Sequence, residues 1–317
     1  MNNRPSEIDV VAAEARIRRH ILTTPLVFWP ETGIWLKCEN EQLTGSFKLR
    51  GALNKVLGLE AGQLGRGLVA ASAGNHGIGV ALAGSTAGAK VTVVVPSGIV
   101  ERKRAMLKKL GAEVRLAGGD YAVAEREGRA LADERSAVWI SPYNDAEVIA
   151  GQGTLGLELS DQLRHWGLSD DVEVYVPVSG GGLLAGVGLG LRQGGARVRL
   201  IGVQTESAPY FHRFLHGGDP ATVVEEPTLA DGLAGAVEAG SITWELVREI
   251  AEDIQLVGEA GIRRALLMVH RQFGMLIEPS AAVAVAACLE GRGPRRVAIV
   301  SGGNADIGLL RRLSAPS

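Results

Sequence analysis

Short apolar runs alternate with amphipathic stretches along most of the chain. Such runs, rich in β-branched residues and separated by helical segments, are typical of parallel strands buried in a wound α/β sheet. The pattern predicts strands at 34–38, 68–71, 91–95, 113–116, 138–140, 172–176, 198–203 and 297–300. It also predicts helices between strands, such as 100–110 and 121–135, and Gly111 lies where a residue that ends the first of these helices is expected.

The order of these elements predicts an α/β protein with two wound parallel-sheet domains. One α/β unit runs from 49 to 141 and the second from 142 onward. In open α/β sheets, ligands bind beyond the carboxyl ends of the strands, and the loops of interest in this chain follow predicted strands. The two domains are therefore expected to enclose a cleft that holds the active site.

Composition narrows the class of protein. Of 317 residues, 46% are hydrophobic and 21% are charged, and a net charge of −2 without a basic block argues against a nucleic-acid partner. The polar segment 1–10 shows no secretory signal, and the apolar run 281–289 is too short to span a membrane. Cys38 and Cys288 have no metal-binding spacing, so buried free thiols in a cytoplasmic protein are expected. The 43 glycines are about twice the usual share, which favours turns and anion-binding loops.

Lys48 is the first candidate for chemistry. It follows Gly45, Ser46 and Phe47, which supply a turn, a helix-capping hydroxyl and an aromatic ring, and it precedes a helix predicted over 50–59. An ammonium group at a helix N-terminus is unfavourable because that end already carries partial positive charge. The group is better accommodated if it is neutralised, for instance as a Schiff base with a carbonyl compound. The alternative is an ordinary solvated surface lysine.

The loop 72–77 connects the strand at 68–71 to a helix predicted at 78–83. Its small residues let backbone amides approach an anion, and the N-terminus of the following helix favours a carboxylate. Asn75 could donate a hydrogen bond to a phenolic oxygen of a bound ring. The alternatives are an ordinary strand-to-helix turn and, for His76, a packed or capping histidine.

A second loop, 179–183, contains three consecutive glycines, which free the backbone to curve around a phosphate. The loop has no Walker pattern, and Ala185 replaces the third glycine of the dinucleotide fingerprint, so a mononucleotide-sized phosphate is the better prediction. A third loop, 301–304, follows the strand at 297–300, and its Ser301 hydroxyl could form a hydrogen bond with a ring nitrogen. The alternative is that this loop is only a tight turn before the last helix. The loop 229–233 could line the cleft but is unspecific.

Taken together, these features resemble the fold-type II pyridoxal-phosphate enzymes, which have the tryptophan synthase β-like fold, and within them the serine/threonine dehydratase group. The Ser-Phe-Lys-x-Arg-Gly-Ala form at 46–52 is characteristic of the dehydratase branch, whereas the sulfhydrylase branch typically has Lys-Asp-Arg. The resemblance covers nearly the whole chain through the stretches 24–26, 37–52, 71–77, 108–114, 149–154, 179–183, 278–279 and 301–304. It implies that residues 1–48 join 142–317 in a large cofactor-binding domain and that 49–141 form a smaller one.

The resemblance also implies roles for individual residues. Lys48 would form a Schiff base with pyridoxal 5′-phosphate and later remove the α-proton of an amino-acid substrate. The cofactor would be bound by Phe47, Lys48, Asn75, Gly180, Gly181, Gly182, Leu183 and Ser301. Within that set, the glycine loop would hold the phosphate and Ser301 would face the pyridine nitrogen. The substrate carboxylate would be bound by Ser72, Ala73, Gly74, Asn75 and His76.

The reaction implied is an α,β-elimination that converts a β-hydroxy amino acid, such as L-threonine or L-serine, to a 2-oxo acid and ammonia. Ser301 cannot protonate the ring nitrogen as an aspartic acid would, which favours prompt elimination. Serine racemases have a second serine where this chain has Ala73, and alanine has no exchangeable proton, so little racemase activity is expected. The alternative is a dehydratase or racemase of another β-hydroxy amino acid, such as 3-hydroxyaspartate or an aryl serine.

Further expectations concern metals, assembly and other classes of function. Where the group holds a divalent cation, this chain has Gln204 and Tyr210 instead of acids, so no metal is expected. The resemblance suggests a homodimer or homotetramer. A non-catalytic ligand-binding protein and a nucleotide-binding oxidoreductase are the remaining hypotheses. The first is disfavoured because the candidate cofactor residues are all intact, and the second because the fingerprint is incomplete.

Overall fold

The computed structural model describes residues 8–168 and 170–314. At 307, 311 and 314 it describes the backbone only. Its strands are β1 (Leu26–Trp29), β2 (Ile34–Cys38), β3 (Leu68–Ala71), β4 (Val91–Val95), β5 (Glu113–Leu116), β6 (Val138–Trp139), β7 (Val172–Pro177), β8 (Val198–Thr205), β9 (Asp253–Val257) and β10 (Arg295–Val300). Its helices are α1 (Val10–Ile17), α2 (Lys48–Leu57), α3 (Ala61–Gly65), α4 (Asn75–Ala87), α5 (Glu101–Lys109), α6 (Tyr121–Glu134), α7 (Ala146–His165), α8 (Gly182–Gln193), α9 (Tyr210–Leu215), α10 (Thr243–Ile250), α11 (Glu259–Phe273), α12 (Pro279–Glu290) and α13 (Ile307–Ser314).

The strands form two separate sheets. The six-stranded sheet has the order β1-β2-β10-β7-β8-β9 and is parallel except for the edge strand β1, which pairs antiparallel with β2. The four-stranded sheet has the order β5-β4-β3-β6 and is parallel throughout. This is the α/β architecture with two wound parallel sheets that the sequence predicts.

Helices cover both faces of each sheet. On the six-stranded sheet, α1, α7, α8 and α10 pack against one face, and α11 and α12 pack against the other. On the four-stranded sheet, α2, α4 and α5 cover one face and α6 covers the other. Burial on both faces explains why the central strands are continuous apolar runs rather than alternating ones.

Helices α7 and α8 lie in very close contact because glycines face each other. A Cβ added at Gly190 would lie 1.9 Å from the carbonyl oxygen of Gly153, and one at Gly156 would lie 2.2 Å from that of Val187. Any larger residue at these positions would push the two helices apart. The contact matters for the site because α7 follows residues 140–145 and α8 begins at the glycine loop.

Two helices begin earlier than predicted, and two strands were not predicted. Helix α2 begins at Lys48 and α4 at Asn75, each two or three residues earlier than predicted. Ser46 does not cap α2, because Phe47 precedes the helix without any side-chain cap and the Ser46 hydroxyl is buried without a hydrogen-bond partner. The sequence analysis missed β1 and β9. Both are edge strands of the six-stranded sheet. In β9, polar residues such as Asp253 interrupt the apolar pattern, whereas β1 is a short run of only four residues.

Three smaller expectations concern the cysteines and the termini. Cys38 and Cys288 are buried and free, as predicted. The run 281–289 lies within α12, and none of the helices in the described ranges is long and apolar enough to cross a membrane. Most of the polar segment 1–10, on which the expectation about secretion rests, lies outside the described residues.

Candidate active site

Lys48 lies where the two sheet units meet. The backbone N–H of Phe47 donates to the carbonyl of Ser301 at 3.1 Å, which fixes the start of α2 to the end of β10. Lys48 Nζ donates to the carbonyl of Pro142 at 2.9 Å and lies 5.2 Å from the centroid of the Phe47 ring. Pro142 belongs to residues 140–145, here called the connector, which lead from the four-stranded sheet to α7.

The amine of Lys48 has an unusual electrostatic environment. Burial lowers its pKa from 10.5 to about 8, because a charged ammonium loses hydration that the surrounding protein does not replace. No carboxylate of the described residues lies within 4.0 Å of this nitrogen. At neutral pH about a tenth of the amines would therefore be neutral, against less than about one in a thousand for an ordinary lysine. A neutral amine is both a nucleophile and a base.

A buried charge network holds the first turn of α2. The Arg50 guanidinium donates from Nε and Nη2 to the Glu39 carboxylate at 2.8 Å each, and from Nη2 to Glu158 at 2.9 Å. Lys37 also contacts Glu158. Burial alone would raise the pKa of Glu39, but the Arg50 charge outweighs it and the pKa is lowered. The network joins α2 to β2 and α7, and so fixes the helix that carries Lys48.

The glycine loop has the features of a phosphate cradle. Gly181 has a φ of +83°, which favours glycine, and a Cβ at Gly180 would lie 2.3 Å from the Tyr143 ring. The backbone N–H groups of Gly180 to Leu183 donate to no other residue of the described ranges. Protein N–H groups that are largely buried require an acceptor. Several such donors at the start of α8 fit a phosphate.

Asn75 is held from both sides of its amide. Its Nδ2 donates to Glu278 Oε2 at 2.7 Å, and its Oδ1 accepts from Asn304 Nδ2 at 2.8 Å. Burial raises the pKa of Glu278. One N–H of Nδ2 remains without an acceptor among the residues described. Asn75 is therefore fixed in orientation and can still donate to a ring oxygen.

Ser301 presents a hydroxyl at the end of β10. The residue is buried, and its carbonyl is occupied by Phe47. Within the described part of the chain, the hydroxyl itself has no hydrogen-bond partner. An unpartnered hydroxyl on a largely buried residue at this position fits a ring nitrogen, to which it can donate.

The substrate loop predicted at 72–76 has both free and occupied donors. The backbone N–H groups of Asn75 and His76 have no acceptor in the described ranges, whereas that of Gly74 donates to Ser72 Oγ at 2.9 Å. Ala73 is exposed. The two free N–H groups at the start of α4 fit a carboxylate.

His76 is a packed histidine. Its Nε2–H donates to the carbonyl of Ile140 at 2.9 Å. Burial, together with the nearby Lys48 charge, lowers its pKa from 6.5 to about 3. The ring is therefore neutral throughout the physiological range and its Nε2 is not free to act as a base.

The pH dependence of stability is expected to reveal this histidine. The unfolded chain protonates His76 near pH 6.5, whereas the folded chain does so only near pH 3. The contribution of the neutral ring to the free energy of unfolding is therefore complete above pH 6.5 and is lost as the pH falls towards 3. Between pH 7 and 5 this loss is about 2 kcal/mol of unfolding free energy. His76→Gln keeps a donor for the Ile140 carbonyl but cannot be protonated. When the free energy of unfolding is measured with urea at several pH values, this variant should lose that part of the dependence on pH. The control His270→Gln, at an exposed ring, should keep the slope of the wild type; an unchanged slope in His76→Gln would contradict the prediction.

The residues that replace the metal ligands of the resembling group are engaged elsewhere. Gln204 Oε1 accepts from the backbone of His212 at 2.9 Å, and the Tyr210 hydroxyl donates to Glu225 at 3.0 Å. Among the residues described, no group of three or more His, Cys, Asp and Glu side chains could hold a metal ion.

The structure thus brings the predicted loops to one place and adds residues that the sequence analysis missed. Tyr143 packs against Gly180 and Gly182, and Glu278 joins Asn75 to the backbone of Gly302. Tyr143 could have been found, because the connector follows β6 in the same way as the other loops follow their strands. Glu278 lies in the stretch 278–279 of the resemblance, but its contact with Asn75 spans 203 positions and no local pattern indicates it.

Comparison with known proteins identifies the class. Residues 17–302 match the family model described as pyridoxal-phosphate dependent enzyme, and the chain belongs to that family. It is 41% identical over 284 residues to the L-threonine ammonia-lyase of Thermotoga maritima, covering 88% of this chain and 69% of that protein. It is 35% identical over 318 residues to the catabolic L-threonine dehydratase of Escherichia coli K12, covering 96% and 95% of the two chains. The solved structure of maize serine racemase is similar with a TM-score of 0.86 and 30% identity, covering 96% of this chain and 94% of that one.

These matches confirm the predicted family, the fold class and the cofactor: the chain is a pyridoxal-phosphate-dependent enzyme. Its own residues fit that cofactor. The free N–H donors of Gly180 to Leu183 suit a phosphate, the Ser301 hydroxyl lacks a partner, and the Lys48 amine has a lowered pKa.

Proposed function

We propose that this enzyme is an ammonia-lyase that converts a β-hydroxy amino acid, such as L-threonine or L-serine, to a 2-oxo acid and ammonia. The observation that carries the proposal is that Phe47, next to Lys48, is bonded through its backbone to Ser301, the uncharged residue that follows β10, while the Lys48 amine has a lowered pKa. Support comes from the relatives named threonine ammonia-lyase and threonine dehydratase.

The cofactor would be held by groups from both units. Gly180 to Leu183 would bind its phosphate, Ser301 its ring nitrogen and Asn75 its ring oxygen, while Phe47 would pack near the ring and Lys48 would bind the aldehyde carbon. When bound, pyridoxal phosphate withdraws electrons from the α-carbon of an amino acid and so acidifies the α-proton.

The residues of the chain then have separate tasks. The N–H groups at the start of α4, Asn75 and His76, would hold the substrate carboxylate, with Ser72 to Gly74 shaping the loop. Lys48 Nζ would accept the α-proton, after which the β-hydroxyl leaves and takes up a proton to form water. One water molecule then hydrolyses the released enamine to the 2-oxo acid and ammonia. The net reaction is amino acid to 2-oxo acid plus ammonia.

Racemisation would need a second proton donor on the face of the substrate opposite Lys48. Ala73 has only a methyl group, and the His76 Nε2–H is occupied by Ile140. We therefore propose that elimination strongly exceeds racemisation. The proposed alternative remains a dehydratase or racemase of 3-hydroxyaspartate or an aryl serine.

A substrate panel tests the reaction and the substrate together. L-threonine, L-serine, 3-hydroxyaspartate and phenylserine would be incubated with the holoenzyme, and 2-oxo acid and ammonia would be measured for each. L-threonine or L-serine is expected to give the highest kcat/KM, with oxo acid and ammonia formed in equal amounts. Chiral chromatography should show racemisation about a hundredfold slower, since a positioned proton donor contributes at least that much.

The panel also separates the competing hypotheses. A preference for 3-hydroxyaspartate or phenylserine would support the alternative substrate, and rapid enantiomer formation would support a racemase. No product from any substrate, with cofactor bound, would overturn the proposed dehydratase reaction. A chelator should leave the rates unchanged, because Gln204 and Tyr210 are engaged in other contacts.

We also propose that residues 49–141 form one domain and that 1–48 with 142–317 form the other. The division is supported by the two sheets, since β3 to β6 lie inside the first range and the other strands inside the second. Assembly as a homodimer or homotetramer and a cytoplasmic location stay predictions.

A further inference from the structure

The side chain of Glu238 joins the two units of the molecule. Its Oε1 accepts from Arg129 Nη2 at 2.8 Å, and its Oε2 accepts from Asn144 Nδ2 at 2.9 Å. Arg129 lies in α6, which covers the four-stranded sheet, whereas Asn144 lies in the connector. Glu238 itself lies between β8 and α10, in the six-stranded unit. One carboxylate therefore bonds to the four-stranded unit and to the connector at the same time.

The backbone of Glu238 adds two further contacts. Its N–H donates to the Tyr143 hydroxyl at 2.9 Å, and its carbonyl accepts from Trp244 Nε1 at 3.2 Å. Trp244 belongs to α10, which packs against the six-stranded sheet. The position of Glu238 is thus set by α10 on one side and by the connector on the other.

The connector residues that Glu238 contacts adjoin the cofactor pocket. The Tyr143 ring packs against Gly180, and a Cβ at Gly182 would lie 2.9 Å from its Cβ. The preceding residue, Pro142, accepts the hydrogen bond from Lys48. A displacement of the connector would therefore alter both the phosphate loop and the position of the amine.

The ion pair between Glu238 and Arg129 is partly exposed, but other contacts hold the Arg129 guanidinium in place. Arg129 also bonds to Glu125 at 2.8 Å, and its guanidinium stacks 4.9 Å from the Trp139 ring centroid. The Arg129 and Glu238 side chains are 39% and 34% exposed. Ion pairs that are exposed to this extent add little to the free energy of unfolding. Their geometry can nevertheless fix the relative placement of the groups that they join.

We propose that Glu238 is a positioning residue of the cofactor pocket, which holds Tyr143 against the glycine loop and ties the connector to α6 through Arg129. The proposal rests on the cofactor of the family and not on the reaction proposed above. The substrate panel and the test below can therefore fail independently.

Cofactor affinity tests the proposal without reference to catalysis. Cofactor-free Glu238→Ala would be titrated with pyridoxal phosphate, and its Kd is expected to rise about fivefold as the connector loosens. The matched control is Glu249→Ala, which removes the exposed pair between Glu249 and Arg192 at 2.9 Å in α10 and α8. The control should bind the cofactor as the wild type does. The Tm of cofactor-free Glu238→Ala should lie only slightly below that of the control, because it loses the Asn144 hydrogen bond in addition to one exposed ion pair.

Glu238→Ala keeps the backbone N–H that donates to the Tyr143 hydroxyl, so Tyr143→Phe tests whether this backbone contact also holds the connector. This variant keeps the ring on the glycine loop and removes only the hydroxyl, so its Kd should rise as well. In the double variant with Glu238→Ala, the rise in Kd should be smaller than the product of the two single effects, because both changes loosen the same connector. The proposal would be overturned if the rise in Kd of the double variant equalled the product of the two single effects. It would also be overturned if Glu238→Ala and the Glu249→Ala control had equal Kd values.

Discussion

Replacing Lys48 with alanine is expected to lower kcat/KM by at least about a thousandfold, because the variant loses both the amine that binds the cofactor and the base that takes the α-proton. Stability should not fall in parallel. The ammonium is buried without a carboxylate nearby, and its lowered pKa shows that the fold disfavours the charged form. The urea midpoint of the variant is therefore expected to equal or exceed that of the wild type.

Two controls distinguish this role from a general effect of removing a lysine. Lys108→Ala removes an exposed lysine of α5 and should retain wild-type turnover. Treatment of the holoenzyme with borohydride should attach the cofactor irreversibly to the peptide that contains Lys48, and to no peptide of the alanine variant. Turnover that survives in Lys48→Ala would contradict the role proposed for this amine.

The main features of the fold and of the pocket could be predicted because they have local causes. Buried parallel strands are apolar on both faces, so β3, β4, β7 and β10 are visible as short β-branched runs. The glycine loop is visible because a phosphate cradle needs free N–H groups and no side chains. The roles of individual residues came from the resemblance of whole motifs to a known family, and they stay predictions until variants are measured.

What could not be predicted has causes that are distant along the chain. Helix α2 begins at Lys48 because Phe47 is bonded to Ser301, which is 254 positions later, and no rule for helix caps contains that contact. Tyr143 and Glu238 are 95 positions apart in the chain, and the hydrogen bond between them follows from no local pattern. The edge strand β9 is stabilised by pairing with β8 rather than by its own apolar residues.

The buried charge network beside Lys48 could not be predicted from local sequence either. Arg50 and Glu39 are both fully buried, although arginine and glutamate are expected at the surface. Sequence alone shows them as ordinary charged residues beside Lys48. Their burial follows from α2 packing against α7 and from β2 lying inside the six-stranded sheet, which brings Glu158 and Lys37 to the same point.

Replacing Arg50 with methionine is expected to cost about 3–5 kcal/mol of unfolding free energy, since the change leaves Glu39 buried without its main counter-charge. Methionine preserves most of the volume, so the loss is electrostatic rather than a cavity effect. The control is Arg192→Met, which removes an exposed guanidinium and should cost less than about 1 kcal/mol in the same urea experiment.

A second variant identifies the cause. In Arg50→Met with Glu39→Gln, the buried acid becomes a neutral amide, so part of the lost stability should return. If the double variant is less stable than Arg50→Met, Glu39 must retain a favourable interaction with Lys37 that outweighs its loss of Arg50. A cost for Arg50→Met no larger than that of Arg192→Met would show that the buried network does not hold α2, and the placement of Lys48 would then depend on the backbone contact between Phe47 and Ser301 alone.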